Sequence, residues 1–215
     1  LKNKKPKFSL FRGGTEFNKM NPISKSQARR ELSLPSDKKI ILYVGKYYNR
    51  KGLSNLLRAY EKLRKDKEVT LVLLGGSEDD PLYSEAVEKG AIVGNRHYDR
   101  DTELVLYYSA ADVFVLPSSG IDANYSMGLG SAPVESMACG TPVVSRQLLH
   151  FNNFCDVKHV GLIPTSKEDY ARCISYVLEN PDDFSNCREV ARSIFDWDII
   201  MPKVLNIYSE LFNEY

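Results

Sequence analysis

Three observations predict an α/β fold built on a doubly wound parallel sheet and closed by a C-terminal crossover helix. Apolar, strand-like runs alternate with one-sided helical stripes from Lys39 onward. The strand-like runs are continuously apolar, as in strands covered on both faces. A helical segment separates each run from the next, which is the crossover that parallel strands need.

The elements follow in order. Ile40 to Val44 (IILYV) reads as a buried strand, and Leu53, Leu56, Leu57, Tyr60 and Leu63 mark one face of a helix. Val69 to Gly76 (VTLVLLGG) gives the next strand, Tyr83 to Lys89 a short helix, and Ala91 to Val93 a brief strand. Leu104, Tyr107, Tyr108 and Ala111 form another helical stripe before the strand at Val113 to Leu116. A polar loop, a helix carrying Glu135, the strand at Pro142 to Ser145 and a weaker strand at Val160 to Ile163 come next. Tyr170, Cys173, Ile174, Val177 and Leu178 make the following helix one-sided. Past Trp197, an apolar stripe of Val204, Ile207, Tyr208, Leu211, Phe212 and Tyr215 marks a terminal helix expected to pack on a further neighbour.

The 215 residues suit one α/β domain, with the 43% apolar and 27% charged residues of a soluble globular protein. No apolar run approaches the roughly 18–20 residues that span a bilayer. The chain opens on Leu1 with LKNKKPK, which lacks the apolar core of a signal peptide and reads as a cut from a longer chain. The net charge of +1 conceals an asymmetry: residues 1–30 hold nine Lys or Arg against one acid, leaving −7 on the remainder. A basic arm attracts anionic lipid or nucleic acid, but the simpler reading is a solvated inter-domain linker. The body lacks the aromatic–basic interleaving of nucleic-acid modules, so no nucleic-acid partner is expected. Cys139, Cys155, Cys173 and Cys187 stand 14 to 18 residues apart, which suits neither zinc nor a small disulfide framework and points to reduced, cytosolic thiols.

The chemistry concentrates between Val113 and Val144 (VFVLPSSGIDANYSMGLGSAPVESMACGTPVV). A strand breaks at Pro117-Ser118 into a loop that ends in Gly128-Leu129-Gly130 and feeds a helix. Free backbone N–H groups and the positive dipole end make such a helix start an anion site. Glu135 lies further along the same helix, so one place holds both a phosphate and a hydroxyl-bearing group; nucleotide-sugars carry both. The loop Gly45-Lys46-Tyr47-Tyr48-Asn49-Arg50-Lys51-Gly52 follows the first strand, and ligands in open α/β sheets bind outside the carboxyl ends of strands. Lys46 and Lys51 can there neutralise a diphosphate, in the ground state and as it departs.

Other motifs carry less. Gly128-Leu129-Gly130-Ser131-Ala132-Pro133 lacks the third glycine of a dinucleotide fingerprint and follows the fourth strand, which argues against a dehydrogenase. Asp99-Arg100-Asp101 matches a metal-binding D-x-D, yet it sits where Asp caps a helix, and the cap is favoured. Glu78-Asp79-Asp80 before Pro81 reads as a turn and helix start. His97, His150 and His159 share no metal-ligand spacing, so no metal is implied.

With these residues in place, the chain resembles the C-terminal, donor-binding domain of the group 1 (family 4) retaining glycosyltransferases of GT-B fold. The strings RGGTEF…RRELSLPSDKKIILYVG, YYSAADVFVLPS and VESMACGTPVV carry the resemblance over roughly Phe8 to Tyr215. It implies a linker at residues 1–35, a Rossmann-like nucleotide-sugar domain at 36–195 and a C-terminal helix at 196–215 that packs on the absent N-terminal acceptor domain. It also implies retaining hexosyl transfer without a metal or a cofactor beyond the nucleoside-diphosphate sugar. The fragment alone would bind donor and transfer little. The expected location is the cytoplasm, and many relatives work at the inner membrane face, with which the basic arm is compatible.

Residue by residue, the resemblance aligns the family's diphosphate clamp with Lys46, which follows Gly45, and with Lys51. Lys46 stands where the family has Arg, and so lacks the bidentate guanidinium fork. Backbone amides of Gly128, Leu129, Gly130 and Ser131 would hold the distal phosphate, Glu135 the ribose hydroxyls, and the loop from Gly94 to Tyr98 the edge of the nucleobase. The departure is Met127, eight residues before Glu135, where the family's E-x7-E motif has the acid that contacts the donor sugar. A thioether accepts no strong hydrogen bond. Either Asp122, in a loop longer than the family's usual one that also holds Asn124, substitutes for that acid, or the donor sugar lacks this contact, or activity is weak or lost. The last case would make the chain a non-catalytic nucleotide-sugar-binding module. A nucleotide-sugar epimerase is the third class; PVESMACGTPVV is the transferase form of this loop and argues against it.

Overall fold

The computed structural model describes residues 13–48, 51–117, 130–151 and 157–213. The expectations placed on Asp122, Asn124, Met127, Gly128 and Leu129 therefore fall outside the described residues. The order is α1 (Lys25–Glu31), β1 (Lys39–Val44), α2 (Leu53–Leu63), β2 (Val69–Leu74), α3 (Tyr83–Glu88) and β3 (Ile92–Gly94). A π-helical turn (Arg100–Leu104) then leads into α4 (Val105–Ala110) and β4 (Val113–Leu116). After these come α5 (Ser131–Ala138), β5 (Val143–Ser145), β6 (Gly161–Leu162), α6 (Tyr170–Glu179), α7 (Cys187–Phe195) and α8 (Trp197–Asn213).

All five strand pairings are parallel, and the sheet order is β3-β2-β1-β4-β5-β6. Alternation along each strand divides the core in two. Ile40, Leu42, Val72, Leu74, Phe114 and Val143 face one layer, in which Met137 of α5 and Ala191 of α7 pack. Ile41, Tyr43, Leu71, Leu73, Val115 and Val144 face the other, with Leu56 and Leu57 of α2 and Ile174 of α6. With the central strands covered on both faces, their runs carry no polar alternation. β2 is buried at all six positions.

One sequence reading needs correction. The basic segment was expected to be a solvated linker, yet from residue 13 onward it belongs to the packed body. Phe17, Met20 and Ala28 are fully buried in the first core layer. Arg29 is 8% exposed and spends its charge internally. Its Nη2 donates to Asp112 Oδ2 at 2.6 Å, its Nε to the Ala110 carbonyl at 3.0 Å and its Nη1 to the Lys38 carbonyl at 3.1 Å. Asp112 also accepts from the Ile40 amide at 2.6 Å, so the pair fastens α1 to the amino edge of β1. The segment before α1 is strapped to the far end of the chain. The Thr15 amide donates to the Phe195 carbonyl at 2.8 Å, the Trp197 amide to the Thr15 carbonyl at 3.2 Å, and Arg188 to the Met20 and Phe17 carbonyls. The terminal stripe is only partly covered within the chain. Val204 joins Ile200 in burial at the start of α8, whereas Met201, Leu205, Tyr208 and Phe212 remain exposed.

Replacing Arg29 by Ala removes the buried partner of the Asp112 carboxylate, leaving it the Ile40 amide and the half-exposed Lys25, and should destabilise the fold by about 3 kcal/mol, the lower end for breaking a buried pair. Lys25 reaches the same carboxylate at 2.7 Å, but its side chain is 47% exposed. Lys25→Ala should therefore cost less than about 1 kcal/mol. Urea denaturation of the two variants checks the contrast.

Candidate functional site

In an open α/β sheet the loops diverge, and leave a crevice, where the strand order reverses. Here β1 leads to β2 and β3 on one side, and the chain then returns to β4 on the other. The reversal lies between β1 and β4, which pair through Ile41 with Val113 and Leu42 with Phe114. The loop after β1, with Gly45, Lys46 and Lys51, and the start of α5 at Gly130, in the crossover after β4, belong to these adjacent strands. Glu135 follows on α5.

Internal bonds shape the loop after β1. The Tyr43 hydroxyl donates to the Lys46 carbonyl at 2.6 Å, which fixes the backbone while the Lys46 side chain stays exposed. Tyr47 is fully buried beneath the loop. Its hydroxyl has one proton to give and lies 2.8 Å from the Leu73 carbonyl and 2.7 Å from that of Gly94. That hydroxyl joins the ends of β2 and β3 to the first loop. Glycine is required around it: a Cβ at Gly76 would sit 2.2 Å from the Tyr47 ring, and one at Gly94 1.9 Å from the Tyr98 hydroxyl. Lys51 precedes Gly52, whose φ of 75° starts α2.

Asp80, read from the sequence as part of a turn, closes the arrangement. It is 7% exposed, and its Oδ2 accepts from the Tyr47 amide at 3.1 Å and the Ser77 amide at 3.0 Å. Burial pushes its pKa up, but the Tyr47 and Ser77 amides and the Tyr48 side chain outweigh it and hold the carboxyl below its usual range. The third loop adds a stacked cation. The Arg96 guanidinium carbon lies 4.2 Å from the centre of the Tyr98 ring, and Glu103 accepts from both its terminal nitrogens.

On the other side, α5 begins at Gly130 with φ 78° and no side-chain cap. Helix geometry leaves the amides of Ser131 and Ala132 without intrahelical partners, and Pro133 has no N–H to satisfy. The positive end of α5 thus opens beside the crevice. One turn on, Glu135 is 5% exposed, and its Oε2 accepts from the Tyr108 hydroxyl at 2.9 Å. Burial raises the Glu135 pKa above the ordinary carboxylate value; Tyr108, Arg100 and Ser131 act in the opposite sense. Arg100 stands in the π-helical turn, a form frequent at functional sites, where the Asp99 carbonyl accepts from both the Glu103 and the Leu104 amides. The Asp99 side chain accepts from the Thr102 amide at 3.0 Å and so caps that turn. Arg100 is also bound by Asp101 and by Glu16 of the leading segment.

Among the described residues no group of His, Cys, Asp and Glu could hold a metal, and no helix is long and apolar enough to cross a membrane. Cys139, Cys173 and Cys187 are buried thiols, and burial raises Cys139 to about 12. Sequence reasoning missed Asp80, Tyr47 and Tyr108 as site residues. A tyrosine on an apolar stripe is the available signal, because a buried hydroxyl must find a partner.

Sheet order and crevice define a Rossmann-like α/β half of the GT-B kind. The family described as glycosyl transferases group 1 matches residues 24–194. The chain belongs to that family. The D-inositol 3-phosphate glycosyltransferase of Mycolicibacterium smegmatis is 30% identical over 219 residues, covering 94% of this chain and 47% of the relative. That of Streptosporangium roseum is 29% identical, covering 91% and 48%. The chain thus spans about half the length of the curated relatives it matches. Among solved structures, sucrose-phosphate synthase from Thermosynechococcus elongatus is similar with a TM-score of 0.77 and 31% identity, covering 96% of this chain and 53% of that one. Anabaena HepE, solved with UDP, shares the fold with a TM-score of 0.73 at 19% identity, over 92% of this chain and 56% of its own.

Asp80→Asn should weaken the fold at pH 7 by removing a carboxylate that its donors stabilise. The group's folded pKa lies below its value of 3.8 elsewhere, so its contribution is present above that pH and lost as pH falls through the folded value. Melting temperatures of wild type and variant should differ at pH 7 and converge below pH 3.8.

Proposed function

We propose that this chain is the donor-binding half of a glycosyltransferase that moves a sugar from a nucleoside diphosphate to an acceptor with retained anomeric configuration. The observation that carries the reading is the strand reversal, which brings the Lys46 loop and the start of α5 to adjacent strand ends. Lys46 and Lys51 supply positive charge to the diphosphate, and the backbone amides of Gly130 and Ser131 at the start of α5 receive the distal phosphate. Both become more favourable as the glycosidic bond breaks and charge collects on the departing diphosphate. Glu135 accepts from the ribose hydroxyls, and the Gly94 backbone borders the base. The basic side chains and the helix dipole take the role that a metal has in other transferases. HepE was solved with UDP and with UDP-glucose, which supports this class of ligand.

The acceptor pocket belongs to the other half of the protein, against which the exposed face of α8 packs. The whole enzyme works in the cytoplasm, with contact at the inner membrane face. A second reading is favoured by Met127, which stands where the family's sugar-binding acid would be. On that reading the chain binds donor and catalyses nothing.

Saturation-transfer NMR with uridine, guanosine and adenosine diphosphate sugars tests the site. One of them should bind, and Lys46→Ala or Glu135→Ala should each weaken it by about tenfold, as expected for charge-assisted hydrogen bonds. Spectra that neither substitution alters would remove the assignment. Turnover by the full-length protein separates the two readings. Activity in wild type supports the enzyme, and inertness of both wild type and Met127→Glu across donors and acceptors supports the module.

A further inference from the structure

Tyr108 is the least expected member of the site. It is fully buried on α4, its ring 5.9 Å from that of Phe114, and its carbonyl accepts from Thr141 Oγ1 at 2.6 Å. Phenylalanine would fill the same space, since this position otherwise packs in the apolar core. The hydroxyl has one side-chain partner in the described residues, Glu135 Oε2 at 2.9 Å. A carboxylate has about four lone-pair positions, and the Tyr108 hydroxyl occupies one of them. The remaining positions, on a group whose rotation Tyr108 fixes, match the paired hydroxyls of a ribose.

We propose that the Tyr108 hydroxyl is a positioning group that sets ribose recognition by Glu135. The proposal rests on the reading of Glu135 as the ribose acceptor. Tyr108 does not touch the nucleotide. It removes the rotational freedom of the acid and stabilises its charged form, so that the cost of ordering the carboxylate is met before ligand arrives. The charged and titratable groups around the acid are Tyr108 of α4, Arg100 and Asp101 of the π-helical turn, and Cys139 at the end of α5.

The test uses the 215-residue chain with uridine, guanosine and adenosine diphosphates and their 2′,3′-dideoxy counterparts, by calorimetry. Tyr108→Phe should weaken the preferred ribonucleotide by about tenfold and leave the dideoxy form within about twofold, so that the preference for ribose disappears. Because the phenol helps to keep Glu135 ionised, the acid limb of ribonucleotide affinity should move to higher pH in the variant. Glu135→Gln should lose the same preference. If Glu135→Gln loses it and Tyr108→Phe keeps it, the positioning role is wrong and the ribose reading stands. If neither variant changes the preference, the ribose reading itself fails. Equal weakening of ribo and dideoxy ligands by Tyr108→Phe would mark a purely structural residue. Should that variant not fold, wild-type protein carrying 13Cζ-tyrosine decides. One buried tyrosine resonance should shift with the ribonucleotide and stay still with the dideoxy form, and equal shifts would overturn the proposal.

Discussion

A parallel sheet cannot reverse its strand order without leaving a gap between two loops. That constraint organises this molecule. Three strands run outward from β1 on one side and three from β4 on the other. Crossover helices cover the two faces but not the carboxyl edge at the reversal. The candidate site gathers there: a lysine-bearing loop, a helix start without a side-chain cap and a buried acid. At the amino edge the buried Arg29–Asp112 pair is the chief polar feature, and the two core layers between follow ordinary alternation.

The supports of the crevice differ in kind. The β1 loop is held by hydrogen bonds to its own backbone, from Tyr43 below and Asp80 beside it. Such a loop presents its lysine without using it, which keeps the charge available. The opposite wall is held by a side chain acting on a side chain. Burial works against ionisation of Glu135, and the phenol, the hydroxyl of Ser131 and the Arg100 guanidinium work for it. A carboxylate balanced in this way is more basic than one in water and accepts hydrogen bonds more strongly.

Much of the fold was legible because the sheet is covered on both faces: continuous apolar runs such as VTLVLL are unambiguous. The strand Ile40 to Val44 and the helices carrying Leu53, Glu135 and Tyr170 stand where periodicity put them. What escaped notice was amphipathic in disguise. In α1, lysine and arginine mask a helix whose start is capped by Ser24, and Arg29 is an internal residue. In α7, Cys187, Ala191 and Phe195 form a stripe of unlike sizes at four-residue intervals. The lysine and glycine parts of the site could be read because they lie in loops where such residues have few other uses. Asp80 and Tyr108 could not, since their partners, the Tyr47 amide and Glu135, are 33 and 27 residues away. Contacts of that range depend on topology, which local pattern does not encode.

The strap between Thr15 and the start of α8 has a mechanical consequence. It lays the incoming and outgoing stretches of backbone side by side, joined by two amide bonds at 2.8 and 3.2 Å. Tension drawn between the two stretches therefore falls on this short clasp. Because the two stretches run parallel, that pull shears both bonds together instead of peeling them in turn.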